Sequence, residues 1–229
     1  MTQDFERTWQ DKLSRSMSKH ADEEIGEKIL EGSEQLSDQS SRTDVIQWSG
    51  CAMSKLEGLL PLQTAQDVLT GCACHYPHEA LQSLRDAYQQ GSDIRKIHSM
   101  LLESFRAFLE GNLELEVDEI ETILARGWGL AGVLDGSMIL AIKIPKSSYL
   151  RDYLIEKDPQ LRREMYCHCP RVRDAVKLGK SLSNTYCYCG AGFYKDIWET
   201  ILGEPVQVEV RTSVLQGDDV CTIAIHLPV

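Results

Sequence analysis

The stretch Gly129-Leu130-Ala131-Gly132-Val133-Leu134-Asp135-Gly136-Ser137-Met138-Ile139-Leu140-Ala141-Ile142-Lys143-Ile144 decides the fold class. Asp-Gly between two apolar runs marks a tight turn, so this stretch predicts a β-hairpin. A second hairpin closes the chain: Val206, Val208 and Val210 share one face of its first strand, Gln216-Gly217-Asp218-Asp219 turns, and Val220–Leu227 returns. Two hairpins predict an antiparallel sheet of at least four strands. Between them, Tyr149–Met165, Arg171–Leu178 and Ala191–Leu202 read as helices, the last stopped by Gly203 and Pro205. Upstream, Val117–Ala125 reads as a short helix. The acid-rich stretch Phe5–Leu36 and the segments Thr43–Leu59, Thr64–Cys72, Glu79–Gln90 and Asp93–Glu110 carry apolar residues at helical spacing. The expectation is an α+β fold, with an antiparallel sheet built from two hairpins packed with helices and preceded by a mostly helical N-terminal half. A boundary between residues 1–115 and 116–229 is nominal, with one core shared by the two parts as the alternative.

The chain has 229 residues, of which 42% are hydrophobic and 26% charged, the balance of an ordinary globular protein. Its net charge of −11 repels nucleic-acid phosphates and anionic membranes, so neither is an expected partner. No apolar run approaches the roughly 20 residues of a spanning helix. Met1-Thr2-Gln3-Asp4-Phe5-Glu6 lacks the basic start and apolar run of a signal peptide, which points to the cytoplasm.

In that compartment thiols stay reduced, and eight cysteines then point to metal binding or thiol chemistry rather than to disulfides. Six of them form C-x-C pairs, Cys72-Ala73-Cys74, Cys167-His168-Cys169 and Cys187-Tyr188-Cys189; Cys51 and Cys221 stand alone and read as core. The second and third pairs, 17 residues apart, are one residue tighter at each end than a zinc ribbon. Four thiolates could hold zinc or ligate an iron–sulfur cluster. The first pair continues through His75 and His78, adding two imidazoles. The expected metal ligands are therefore Cys72, Cys74, His75, His78, Cys167, His168, Cys169, Cys187 and Cys189. Two other uses of C-x-C remain open: a dithiol switch, and alternation that places both sulfurs in a core or pocket wall.

Lys143 to Lys180 contains ten Lys or Arg against five Asp or Glu, a cationic segment in an acidic chain. Cationic neighbours favour thiolate and attract anions, which makes Lys143, Lys146, Arg171 and Arg173 candidates for holding a carboxylate or phosphate. Nucleotide-binding glycine loops, H-E-x-x-H and G-x-S-x-G are absent from the sequence, and no catalytic residue is assigned.

Three stretches carry a resemblance: Gly190-Ala191-Gly192-Phe193-Tyr194-Lys195-Asp196-Ile197-Trp198-Glu199, Leu202-Gly203-Glu204-Pro205-Val206-Gln207-Val208-Glu209-Val210, and Ser213-Val214-Leu215-Gln216-Gly217-Asp218-Asp219-Val220-Cys221. Their glycine-opened helix, G-x-P-V step and G-D-x-x-C hairpin resemble the end of the vinyl-4-reductase-type small-molecule-binding domain. The likeness covers about residues 116–227. It implies an α+β domain, often dimeric, around an apolar ligand pocket. The wording around Cys167 and Cys187 is more similar to a cysteine-rich bacterial family of that superfamily, for which the resemblance supplies no activity. A distant similarity to L-2-amino-thiazoline-4-carboxylic acid hydrolases implies ring-opening hydrolysis as an alternative. The expected function is thus a sensor or accessory protein that binds a small anionic or apolar ligand beside zinc or an iron–sulfur cluster, and the resemblance implies a homodimer. The alternative is a metal- or thiol-dependent hydrolase acting on a small anionic substrate.

Overall fold

A computed structural model describes residues 4–113 and 115–228. The N-terminal half is helical: α1 (Phe5–His20), α2 (Glu23–Leu30), α3 (Arg42–Leu59), α4 (Leu62–Thr70), α5 (Gln82–Gln89), α6 (Ile94–Asn112) and α7 (Val117–Ala125). Side-chain caps start several of them. Asp4 accepts from the Arg7 amide, Ser41 from Asp44 and Asp93 from Lys96, each satisfying a donor that the first helical turn leaves unpaired.

The sheet follows, with β1 (Val133–Asp135) and β2 (Met138–Ile142) forming the first hairpin, and Gly136 in its turn at φ 59°. Then come α8 (Leu150–Ile155), α9 (Pro159–Tyr166), α10 (Pro170–Lys177), α11 (Tyr188–Leu202), β3 (Gln207–Thr212) and β4 (Thr222–His226). The four strands are antiparallel in the order β1-β2-β4-β3, so the two hairpins join through β2 and β4, which pair Ile139 with Ile225 and Ala141 with Ile223. The α+β architecture is the one the sequence predicts.

Two local expectations change. The segment Tyr149–Met165 is two helices, because Asp158 precedes Pro159: a residue before proline is pushed out of the helical region, and the Asp158 carboxylate instead caps α9 at Gln160 and Leu161. The second hairpin turns through a 3-10 segment, Val214–Gln216, and its return strand begins at Thr222.

One core cluster fills the space between α11 and the sheet, with Tyr194, Ile197, Trp198 and Ile201 packed against Ile139, Ile223 and Ile225. Each such buried side chain contributes roughly 1.5–3 kcal/mol. The other cluster draws on both sides of residue 115: Trp9, Leu13, Met53 and Val68 pack with Tyr153, Tyr166, Val172 and Tyr186.

A buried ion pair fastens this second cluster. Glu6 of α1 and Arg171 of α10 are both fully buried and hydrogen-bonded, and Arg42 of α3 reaches Glu6 at 2.7 Å and Asp174 at 2.5 Å. The Arg171 guanidinium lies 3.9 Å from the centroid of Trp9, whose ring stacks on Tyr186 at 5.5 Å. Charge pairing and cation–π contact thereby lock α1, α3 and α10 together.

Candidate functional site: a thiol-lined cavity

Each cysteine pair reaches one internal space by its own local geometry. Beyond α4 the chain turns at Gly71 and Cys72 and runs from Ala73 to Pro77 without regular secondary structure. Cys72, Cys74 and Tyr76 all line the cavity, while the Ala73 carbonyl is held by Lys12 Nζ at 2.8 Å. Cys167 ends α9, and Cys169 is the N-cap of α10 ahead of Pro170. Cys187 is the N-cap of α11, and Cys189 lies in its first turn. Cys221 immediately precedes β4.

These seven of the eight cysteines line one cavity of about 530 Å³; Cys51 is exposed elsewhere. Lys143, His168, Ser213, Trp9, Tyr186 and Tyr194 complete a polar wall, and Phe105, Phe108, Leu130 and Phe193 make an apolar one. All eight cysteines are free thiols. Cys187 Sγ lies 2.9 Å from Ser213 Oγ, and Cys169 Sγ lies 3.5 Å from the Tyr186 hydroxyl. The Cys189 thiol donates to the Cys72 carbonyl at 3.4 Å. The Tyr166 hydroxyl accepts from the Cys221 amide at 3.1 Å and donates to the Lys143 carbonyl, pinning the chain on both sides of the cavity. The indole nitrogen of Trp9 is buried and faces the Cys189 thiol, which it favours in the charged form.

Burial sets the protonation of this wall. It pushes Cys167 up to about 12 against the pull of the Lys143 ammonium, and Cys189 up to about 12 with help from Cys169. Cys72, Cys187 and Cys221 are raised for the same first reason. Burial disfavours the Lys143 ammonium too, but attraction to Cys167, Cys221, Tyr194 and Cys189 outweighs it and lifts the lysine above its ordinary value. His168 is lowered to about 4 by burial, then by the Lys143 charge. It is neutral at pH 7, and Nε2, 2.9 Å from the Ile144 carbonyl, carries the proton, which leaves Nδ1 with the lone pair.

The thiols are not arranged for a single tetrahedral ion. Four sulfurs about 2.3 Å from a single tetrahedral zinc would lie about 3.8 Å apart. Among the described residues, the cysteine sulfurs do not gather in threes within 4.8 Å; the group that does is His75, His78 and Asp196.

The structure thus separates the residues that the sequence grouped. Cys72, Cys74, Cys167, His168, Cys169, Cys187, Cys189 and Lys143 come together, whereas His75 and His78 are exposed and meet Asp196 instead. Arg171 is not offered to a ligand, since Glu6 takes its charge inside the core. Arg173 donates to the Cys167 carbonyl at 2.7 Å and the His168 carbonyl at 2.9 Å, so it shapes the second pair's backbone. Lys146 lies over the Tyr149 ring. Cys221, read from sequence as core, is both buried and cavity wall. Trp9 and Asp196 carry no sequence signal beyond their helical spacing.

Residues 153–228 match the model of a family of unknown function (DUF6144), a segment that contains the second and third cysteine pairs and Cys221. No curated protein and no solved structure matches the chain. Among the described residues, no helix is long and apolar enough to cross a membrane.

Proposed function

We propose that this chain binds a polynuclear thiolate-ligated metal centre of the iron–sulfur type in its internal cavity and acts as a sensor or accessory protein in a reducing compartment such as the cytoplasm. The observation that carries this reading is the convergence of seven thiols on one cavity of about 530 Å³. Packing alone gives no reason for three C-x-C pairs, brought from α4, α9–α10 and α11, to face one another. Iron–sulfur clusters are held by cysteine thiolates spread around a core, which matches many sulfurs around a volume better than a tight tetrahedron does. Lys143 supports the reading as a half-buried cation on the cavity wall, placed to balance an anionic thiolate centre. The Phe105, Phe108 and Phe193 wall leaves room for an apolar portion of a small ligand, in keeping with the resemblance to vinyl-4-reductase-type binding domains.

The hydrolase alternative has less support. A nucleophilic cysteine needs a lowered pKa, and burial pushes Cys72, Cys167, Cys187, Cys189 and Cys221 the other way.

The test is anaerobic purification followed by reconstitution with ferrous iron and sulfide. Broad visible absorption with iron and acid-labile sulfide bound in matching amounts is expected, and it should be lost when Cys187 and Cys189 are both changed to Ser. A colourless protein without iron after reconstitution rejects the reading. Stoichiometric zinc without sulfide also rejects the cluster and replaces it with a mononuclear site.

A further inference from the structure

The second cluster of ligating side chains lies on the outside of the same wall. His75 Nδ1 is 3.1 Å from Asp196 Oδ1 and His78 Nε2 is 3.0 Å from Asp196 Oδ2. One ligand atom from each of the three residues falls within 4.8 Å of the other two. Each imidazole thus takes a separate oxygen of one carboxylate, and the rings stand at 89° to each other with centroids 6.1 Å apart. The carboxylate is largely shielded at 19% side-chain exposure, while the imidazoles are half exposed, so incoming ions reach the nitrogens from solvent.

The fold builds this meeting deliberately along one face of α11. Cys189, Gly192, Phe193 and Asp196 recur at helical spacing, and each touches the segment that runs from the end of α4 to His78. The Cys189 thiol donates to the Cys72 carbonyl, Phe193 packs edge-on against Tyr76 at 6.4 Å, and Asp196 meets both histidines. Gly192 is what allows the approach, because a Cβ there would overlap the Thr70 backbone. Two imidazoles and a carboxylate are donors for zinc, cobalt, nickel or ferrous iron, and they leave further coordination positions to water or a ligand.

We propose that His75, His78 and Asp196 form a mononuclear divalent transition-metal site that staples residues 72–78 to α11. It stands on residues other than the cavity thiols and holds whatever the cavity contains. The staple fixes the segment that supplies Cys72, Cys74 and Tyr76 to the cavity wall.

The experiment is titration of the full chain with cobalt(II), anaerobically and with iron removed, in wild type and in the separate variants Asp196→Asn and His78→Gln. Nitrogen and oxygen ligands give weak visible d–d bands, whereas thiolates add near-ultraviolet charge transfer. The expected result is one cobalt that gives the weak bands, apart from any charge transfer from the cavity thiols, and is bound at least ten-fold more weakly by each variant. In wild type, hydrogen exchange across residues 72–78 should slow on adding cobalt, and in the variants it should not. Cobalt that binds only with charge-transfer bands, equally in all three proteins, overturns the site and leaves the thiol cavity standing. Binding without slowed exchange overturns the staple.

Discussion

Two clusters of ligating residues lie on either side of one wall, and they differ chiefly in their contact with water. The thiols around Lys143 line a partly open cavity in which burial holds Cys167 and Cys189 at about 12, with Cys74 exposed at its edge. His75 and His78 face solvent across from Asp196. A metal entering the cavity has to displace protons from thiols that burial keeps neutral, whereas the outer cluster offers nitrogens that need only exchange water and a tautomer. The residues 72–78 contribute to both, with Cys72, Cys74 and Tyr76 on the cavity and His75 and His78 on Asp196. Sequence spacing therefore proposes ligands, and burial sorts them into soft, protonated and inner, or harder, hydrated and outer.

The strongest way to break the contrast is to remove the frame of the inner cluster. Changing Glu6 to Ala leaves Arg171 buried without its counter-charge, beneath the Trp9 ring that walls the cavity. Losing one partner of such a pair costs about 3–5 kcal/mol. For a chain of this size that lowers Tm by about 10 °C. Glu6→Gln, which keeps an acceptor, should lose less. Calorimetry on the two variants checks the order, and equal stability of Glu6→Ala and wild type would mean that the pair holds nothing together.

Alkali is the next largest lever, and it acts on the inner cluster alone. A thiol whose folded-state pKa lies above its unfolded value binds its proton more tightly when folded. Its stabilising contribution is complete below the unfolded value near 8.5 and is lost as pH climbs toward the folded one. Cys167 and Cys189, both at about 12, lose stability together over that window, and Cys72, Cys187 and Cys221 shift in the same direction. Metal-free protein should therefore fall in Tm by more than about 5 °C between about pH 8 and about pH 10. A flat profile would show that the thiols are open to water.

These effects also mark where sequence was informative. Asp135-Gly136 and the alternating valines of Val206–Val210 announce the hairpins because strand and turn signals are local. The C-x-C pairs announce shared chemistry because two sulfurs at that spacing can be aimed together. Convergence of three pairs on one cavity depends on the long-range packing of α4, α10 and α11, which no local pattern encodes. Arg171 illustrates the limit: a cation in a basic segment reads as an anion site, yet its anion, Glu6, is 165 residues away in sequence. Asp196 was hidden in the same way, since its partners lie 118 and more residues upstream.

A smaller change should disturb both clusters at once. Gly192→Ala places a methyl against the Thr70 backbone, where relief requires α4 or α11 to move. Overpacking of this kind costs about 1–3 kcal/mol. The thiols of Cys72 and Cys74 and the two histidines ride on the displaced segment. Iron incorporation and cobalt affinity should therefore fall together, and retention of either would show that the two clusters are seated independently.

The smallest stability effect isolates the outer cluster. In metal-free protein, Asp196→Asn removes a half-exposed imidazole pairing and leaves an amide of the same shape, so stability should stay within about 0.5 kcal/mol of wild type. In the same variant, iodoacetamide should label the exposed Cys51 and Cys74 first and the buried Cys72, Cys167 and Cys221 last, as in wild type. Added zinc should then separate the two proteins, because an ion that binds only the folded state raises Tm in proportion to the logarithm of its concentration over Kd. At cysteine-blocking conditions that leave His75 and His78 untouched, a Tm rise in wild type and none in Asp196→Asn would place the stabilising ion outside the cavity. An equal rise in both would return it to residual thiols.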